Sequence, residues 1–378
     1  LKPLLPFLVD LTAGLSLLYV LVVSYFWLGW KRLRKPIPPQ TLPDIRISVL
    51  IAARNEEQQI GDTIHDILSQ DYPAGLFELI VVDDHSTDRT AEVVTSFAAQ
   101  GVKLIRLMEE QPLNSYKKKA IASAIEVSQG ELIVATDADC RMGPAWLKTM
   151  AALYKAGNVL ISGPVVYHQE QNHFEKLQTL EFLYLIGLGA STIGNRTPAT
   201  CNGANLAYCK SVFYEVGGFN GIDHLASGDD ELLLHKVAER YPEQIAFCKT
   251  PAAIVYTTAK PTLRDFIRQR KRWASKSTKY KNKMVVIMGV LIWSFNVCLL
   301  LSLFLSLFFP WLFGPLAVIW SIKLLAEGLF LWPVCQFAQR KSLLWYLPTL
   351  TVIHVLYMAY IGIAGNTGKY EWKGRWVR

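Results

Sequence analysis

The sequence predicts an α/β domain built on a mostly parallel, doubly wound sheet, joined to helices that cross a membrane. Three observations carry this expectation. Apolar strands alternate with amphipathic helical segments between residues 46 and 139, polar clusters stand at the strand ends, and four long stretches are nearly free of charge. Alternation of this kind gives a parallel sheet covered on both faces.

The elements follow in order. Residues 11–30 (LTAGLSLLYVLVVSYFWLGW) carry no charge and are long enough to span a bilayer. They lack a small-residue cleavage site and end in Tyr25, Trp27 and Trp30 at the interface level, so they read as an anchor and not a signal peptide. Residues 1–35 therefore form an anchor region, and Pro36, Pro38, Pro39 and Pro43 stiffen a linker over 36–45. RISVLIAA (46–53) is a buried strand, and 56–70 places Ile60, Ile64, Ile67 and Leu68 on one helical face. FELIVVDD (77–84), VKLIRLM (102–108) and ELIVATDAD (131–139) are further strands, with helices from Asp88 and over 115–128 between them. Beyond 140 come mixed helices (144–156, 173–191, 229–240) and short strands (158–163, 251–258). The soluble domain is expected over 46–260, a basic interfacial helix over 261–284, and about three spans and a tail over 285–378. The spans are 285–309, 312–337 and 343–364; the middle one, which contains Lys323, Glu327 and Pro333, is expected not to be a simple crossing.

Charge sets the expected orientation. The net charge is +8, and residues 264–283 alone carry nine Lys or Arg against one Asp. Lys31, Arg32, Arg34 and Lys35 flank the other side of the polar middle, which places it in the cytoplasm by the positive-inside rule. Basic charge confined to one juxtamembrane patch points to anionic lipid headgroups or phosphates and away from nucleic acid. The six cysteines show no CxxC pairing, so reduced thiols and no zinc site are expected.

Ligands of doubly wound sheets sit beyond the carboxyl ends of the strands. Arg54-Asn55-Glu56, Asp83-Asp84 and Asp137-x-Asp139 all fall there. Neither a Walker A loop nor GxGxxG follows a strand, so the phosphates of any nucleotide need another counter-charge. Asp137 and Asp139 suit a hard divalent cation bound by one or two carboxylates plus phosphates; alternatively they are two solvated loop residues. In VVDDHSTDRT one carboxylate accepts from a base or ribose, or Ser86 and Asp88 simply cap the next helix, and His85 reads as a loop residue. Lys117, Lys118 and Lys119 open a helix, where cations are unfavourable, and so invite an anionic partner; the alternative is a solvated face. Asp229, Asp230 and Glu231 either stabilise a helix N-terminus or supply a general base. Gln269, Arg272 and Trp273 share a helical face before the second span: Arg272 suits a phosphate and Trp273 a sugar ring, or the segment is a plain interfacial helix.

The ordered set VLIAARNEE, VVDDHSTD, Lys117-x-x-Ala120, TDAD, GANLAY (203–208), VGGF (216–219), GDDELL (228–233) and QRKRW (269–273) resembles the membrane-anchored glycosyltransferases of family 2, relatives of cellulose, chitin and hyaluronan synthases and ceramide glucosyltransferases. The resemblance implies a GT-A fold and an inverting, metal-dependent transfer from a nucleotide sugar, with a leaning towards UDP. It implies nucleoside contacts for Glu56 and Asp83, a diphosphate contact for Lys117, and Mg²⁺ or Mn²⁺ together with the diphosphate on Asp137 and Asp139. Asp230 takes the place of the base, with Asp229 where Glu is more usual and counted with the acceptor side. Gln269, Arg272 and Trp273 then close over the diphosphate and the acceptor. The lysine element departs from the family pattern, so the register leaves Lys117 or Lys118 as the functional residue.

Three activities compete. The first is a single transfer to a lipid acceptor, favoured because four spans roof a headgroup more readily than they conduct a polymer. The second is a processive polysaccharide synthase acting on a glycan. The third is a non-enzymatic adaptor or transporter subunit, for which Lys323 and Glu327 within one span are the sequence support, against a plain structural pair. The expected location is an inner (plasma) membrane of bacterial type, with membrane lipids as neighbours.

Overall fold

The computed structural model describes residues 4–35, 44–109, 113, 115–225, 227–275, 283–364, 370–372 and 375–377. The proline linker at 36–43, the lysines of 276–282 and most of the basic tail lie outside the described residues.

In chain order the elements begin with α1 (Leu4–Arg32), β1 (Ile47–Ala53), α2 (Ile60–Leu68), β2 (Phe77–Asp83), α3 (Thr90–Thr95), β3 (Lys103–Arg106), α4 (Tyr116–Val127) and β4 (Leu132–Asp137). There follow β5 (Arg141–Met142), α5 (Trp146–Lys155), β6 (Leu160–Ser162), β7 (Val165–Tyr167), α6 (His173–Gly194), β8 (Leu206–Cys209) and α7 (Lys210–Glu215). The rest comprises α8 (Glu231–Arg240), β9 (Ile245–Phe247), β10 (Val255–Thr257), α9 (Leu263–Ala274), α10 (Lys283–Ser306), α11 (Phe313–Phe337), α12 (Leu347–Ala364) and the short strands β11 (Tyr370–Trp372) and β12 (Arg375–Val377).

Two compact units divide the chain. One comprises residues 31–170, 188–259 and 371–378. Its seven-stranded sheet has the order β3-β2-β1-β4-β8-β6-β9, in which only β8 runs antiparallel to its neighbours. The strands are almost wholly apolar and buried, as a sheet covered by helices requires. Winding proceeds from β1 outward to β3 and then returns to place β4 on the other side of β1, so the order reverses at β1. Register decides what gathers there: Ala53 stands opposite Asp83, and Ala52 opposite Asp137. The carboxyl ends of β1, β2 and β4 are therefore level, at the switch point where such sheets bind ligands. A second sheet, β5-β10-β7, carries Thr257 at the end of β10.

The other unit comprises residues 1–30, 171–187 and 260–370, and it is helical. Among the described residues four helices are long and apolar enough to cross a membrane: Leu4–Arg32, Lys283–Ser306, Pro310–Phe337 and Lys341–Ala364. In α1 the buried positions Thr12, Ser16, Tyr19, Val23, Phe26 and Trp30 recur every three or four residues, the spacing of a packed helical seam. The outward residues are as apolar as the inward ones: Leu17, Leu21, Leu325, Leu329 and Trp332 are each more than half exposed. Such a surface fits a hydrocarbon surrounding. The segment 313–337 is one unbroken helix despite Pro333, with Lys323 and Glu327 buried on its inner face.

Candidate active site

The site lies within the sheet-containing unit and is assembled from four loops. The first two join β1 to α2 and β2 to α3, and they are laced together. Arg54 Nη1 donates to the carbonyls of Asp84 (2.7 Å) and His85 (2.8 Å). Asn55 takes φ +53°, a left-handed conformation that Asn tolerates, and its Oδ1 accepts from the Thr87 amide at 2.8 Å. The Glu56 amide donates to Thr90 Oγ1, and the Glu57 amide to Asp88 Oδ2. Asp88 also accepts from the Thr90 amide, so it caps the first turn of α3. Burial works against its charge, but these donors win and hold its carboxyl below the usual value. Asp83 is 5% exposed and accepts from the Ser86 amide. His85, also left-handed, sets Nδ1 3.0 Å from Asp84 Oδ1.

The third loop carries Asp137 and Asp139. Thr63 Oγ1 of α2 lies 2.8 Å from the carbonyls of Ala138 and Cys140, which fixes the turn from behind. Arg141 closes it by forking onto Asp66 at 2.7 and 2.9 Å. Asp139 Oδ2 accepts from Thr257 Oγ1 at 3.2 Å.

The fourth feature joins residues 202–205 to 227–231. Because β8 is antiparallel to β4, its first residues start beside β4's end. Thr136 Oγ1 stitches the two by donating to the Ala204 carbonyl. Asn205, wholly buried, accepts from Trp146 Nε1 and donates to the carbonyls of Pro164 and Ala253. Asp230 accepts from the Gly203 amide at 2.9 Å through Oδ2 and, as N-cap of α8, from the Glu231 amide at 2.7 Å through Oδ1. Gly203 packs closely against the two acids, since a Cβ there would stand 3.4 Å from both Asp229 Oδ2 and Asp230 Cβ. Gly228, with φ +88°, supplies the left-handed bend before Asp229.

Lys117 joins the last two loops. Its Nζ lies 2.6 Å from Asp137 Oδ1 and 3.5 Å from Asp229 Oδ2. Burial disfavours the ammonium, but Asp137, Asp229 and Asp230 outweigh it and raise the pKa above the ordinary lysine value. The positive group beside Asp137 is thus a lysine of the chain itself. The two lysines left open by the register differ in their surroundings: Lys117 meets the carboxylates, whereas buried Lys118 donates to the carbonyls of Leu225 and Ser227 and props the loop leading to Asp229. Lys119 pairs with Glu109 at 3.5 Å. The anionic partners of Lys117 and Lys119 are side chains of the same unit.

Asp137 and Asp139 offer carboxylate oxygens, which suit a hard cation, and Cys140 Sγ lies 3.8 Å from Asp139 Oδ1. Among the described residues no three His, Cys, Asp or Glu side chains form a metal-holding group. One or two carboxylates with the remaining positions left to phosphates and water is the usual arrangement for Mg²⁺ or Mn²⁺, so the residues fit such an ion bound together with a diphosphate. The last three sequence-identified residues belong to the helical unit. Gln269 Oε1 accepts from Arg270, Trp273 packs against Phe182, and Arg272 is half-buried on the same helix. Thr63, Asn205 and Thr257 are not singled out by the sequence, although GANLAY contains Asn205.

Comparison with known proteins bears on this geometry. Residues 48–217 match the profile of the family described as Glycosyl transferase family 2. The chain is 30% identical over 262 residues to the probable glycosyltransferase YdaM of Bacillus subtilis, covering 65% of this chain and 56% of that one. It is 29% identical over 138 residues to the β-monoglucosyldiacylglycerol synthase of a Nostoc species, covering 36% and 29%. To the poly-β-1,6-N-acetyl-D-glucosamine synthase of Staphylococcus epidermidis it is 25% identical over 235 residues, covering 60% and 53%. The chain thus spans between about a third and just over half of these relatives' lengths. In fold it is similar to the mannosyltransferase PcManGT of Pyrobaculum calidifontis, solved with GDP-mannose and Mn²⁺: TM-score 0.56, 19% identity, 94% of this chain and 99% of that one. The mostly parallel sheet, its switch point and this likeness define a GT-A-like fold, and residues 48–217, a little under half of the chain, match glycosyltransferase family 2.

Proposed function

We propose that the chain is a membrane-anchored, inverting glycosyltransferase that moves a sugar from a nucleotide-sugar donor, UDP-linked in first place, to a hydroxyl of a membrane-associated acceptor. The observation that carries this reading is the meeting of Lys117, Asp137 and Asp229 at the level strand ends of a family 2 domain, with Asp230 fixed by two backbone amides beside them. Buried Asp83 and half-buried Glu56, at the ends of β2 and β1, serve the nucleoside. Asp137 and Asp139 hold the metal and diphosphate, and Thr257 orients Asp139. When bound, a divalent ion supplies Lewis-acid compensation of the leaving group's charge.

Asp230 takes the proton of the acceptor hydroxyl. The oxygen attacks the anomeric carbon from the face opposite the diphosphate, the carbon–oxygen bond to phosphate breaks, and the configuration inverts. Asp230 is well placed for one role only, because its two backbone hydrogen bonds stop the carboxylate from rotating. Lys117 stays charged throughout and faces the departing phosphates. Asp229 braces Lys117 and stands on the acceptor side. For Gln269, Arg272 and Trp273 the support is the motif itself, which assigns the first two to the diphosphate and the third to the acceptor.

Lipid is the favoured acceptor, supported by the four apolar helices and by similarity to a glucosyldiacylglycerol synthase. Similarity to a polysaccharide synthase favours a processive second reading. The cytoplasmic side of a plasma membrane of bacterial type is the proposed location. The test is turnover of a nucleotide-sugar panel with Mn²⁺ or Mg²⁺ in lipid nanodiscs, with products sized by mass spectrometry. A single glycolipid supports the reading, and a ladder of oligomers replaces it with the processive one. No turnover of any donor would speak for a protein whose role is not catalysis, and turnover untouched by Asp230→Asn would remove Asp230 as the base.

A further inference from the structure

In Gln269-Arg270-Lys271-Arg272-Trp273, the most deeply buried side chain, Arg270, is one of the two with no assigned role. Arg270 is 2% exposed on α9, and Glu181 of α6, 5% exposed, meets it within the helical unit. The guanidinium forks onto that carboxylate, with Nε 3.2 Å from Oε1 and Nη2 against Oε2. The remaining nitrogen, Nη1, donates to Gln269 Oε1 at 2.7 Å. The guanidinium carbon lies 4.3 Å from the centroid of the Trp273 ring and 4.5 Å from that of Phe266. Phe182 lies against Trp273, with centroids 5.8 Å apart.

A buried cation has to be paired, and Glu181 meets that need. A plain ion pair would require nothing further of its neighbours. Here one planar group also grips the residues one before and three after it. An amide has a donor end and an acceptor end. With Arg270 donating to Oε1, the reverse orientation of Gln269 would set Nε2–H against Nη1–H, so the guanidinium fixes which way the amide faces. It also fixes the plane of the indole stacked on it. Lysine, with a point charge and no fork, cannot do all three.

We propose that Arg270, locked by Glu181, is a positioning residue that presets Gln269 and Trp273 for the nucleotide and the acceptor. This rests on the donor-binding reading given above.

The test uses the full chain in nanodiscs and measures binding of UDP and of GDP with Mn²⁺ by calorimetry. Arg270→Lys is expected to weaken binding of the preferred nucleotide by about tenfold. Adding Gln269→Ala to Arg270→Lys is expected to cost less than about twofold more, because the amide has already lost its orientation. The exchange Arg270→Glu with Glu181→Arg restores the ion pair but offers Gln269 an acceptor, so binding stays weak while the melting temperature recovers. Wild-type binding by Arg270→Lys, additive losses in the cycle, or full recovery of binding in the exchange would each overturn the proposal. Should Arg270→Lys not fold, Glu181→Gln, which keeps one acceptor, is read the same way. Gln269→Ala and Asp139→Asn serve as references. If neither weakens binding, the donor-site reading fails; if both do and Arg270→Lys does not, only the positioning role falls.

Discussion

Two lysine–carboxylate clusters in this chain obey opposite rules. In the helical unit Lys323 is wholly buried and pairs with Glu327 one turn later. The Glu327 carboxylate also accepts from Tyr19 Oη at 2.6 Å and Thr351 Oγ1 at 2.8 Å, so one acid meets one base and every oxygen is engaged. In the sheet-containing unit Lys117 faces Asp137 and Asp229, with Asp139 and Asp230 in the adjoining turns, so acids outnumber the base. Its side chain is 22% exposed and that of Asp137 39%. A balanced, closed cluster ties helices together. An acid-rich, open cluster has unused capacity for a cation and for protons, which marks a site.

Three changes break the comparison, and they are ordered by expected effect. Asp230→Asn should lower turnover by roughly 10³-fold, the scale of a lost general base. Asn still caps α8 through its oxygen but sets its NH2 against the Gly203 amide, so stability should fall by the scale of one unsatisfied donor, about 1–3 kcal/mol, as a paired thermal and kinetic measurement would reveal. Replacing one partner of the closed cluster, as in Lys323→Met or Glu327→Leu, should do the reverse. It strands a buried charge at a cost of about 3–5 kcal/mol and reduces folded protein, while turnover per folded molecule is kept. The double variant should recover most of the loss, although Tyr19 and Thr351 then lack their acceptor. Fluorescence-detected size-exclusion chromatography of membrane extracts checks all three variants.

Thr257→Val sharpens the comparison at a finer scale. Removal of the hydroxyl on Asp139 should weaken Mn²⁺ binding about tenfold in the presence of nucleotide, with stability changed by no more than about 1 kcal/mol. The smallest effect concerns pH. The pKa of Lys117 is raised on folding, so its stabilising contribution is complete below the unfolded lysine value and fades only as pH rises through the higher folded one. Nucleotide binding should therefore show no loss traceable to Lys117 between about pH 7 and 10. A Lys117→Met variant, losing affinity uniformly across that range, is the control.

Much of the fold was legible because its signals are local. Apolar runs and their polar ends located β1, β2 and β4, and register needed only the parallel pairing that alternation implies. The same locality set Asp83, Asp137 and Asp139 at strand ends, whereas Asp230 was distinguished from its neighbours only by the family resemblance. The rest depends on long-range contacts. Nothing near Lys117 and Lys118 distinguishes them; the choice is made by a helix rotation that points one at Asp137 and the other at carbonyls 107 and 109 residues away. Thr257 reaches Asp139 across 118 residues, and Glu181 reaches Arg270 across 89. Helical periodicity could place Gln269, Arg272 and Trp273 on one face, but the guanidinium that grips two of them has a partner no local pattern announces. The segment 313–337 is one continuous helix despite Pro333, and its charged pair is satisfied inside the bundle.

The central claim is that a divalent ion sits at the ends of β1 and β4 beside Asp139, together with a nucleoside diphosphate. Anomalous scattering from crystals grown with Mn²⁺ and UDP or GDP tests it most directly. The account predicts one strong manganese peak within about 2.2 Å of an Asp139 oxygen and of the diphosphate. A nucleotide bound with no peak there, or with manganese held elsewhere, would contradict it.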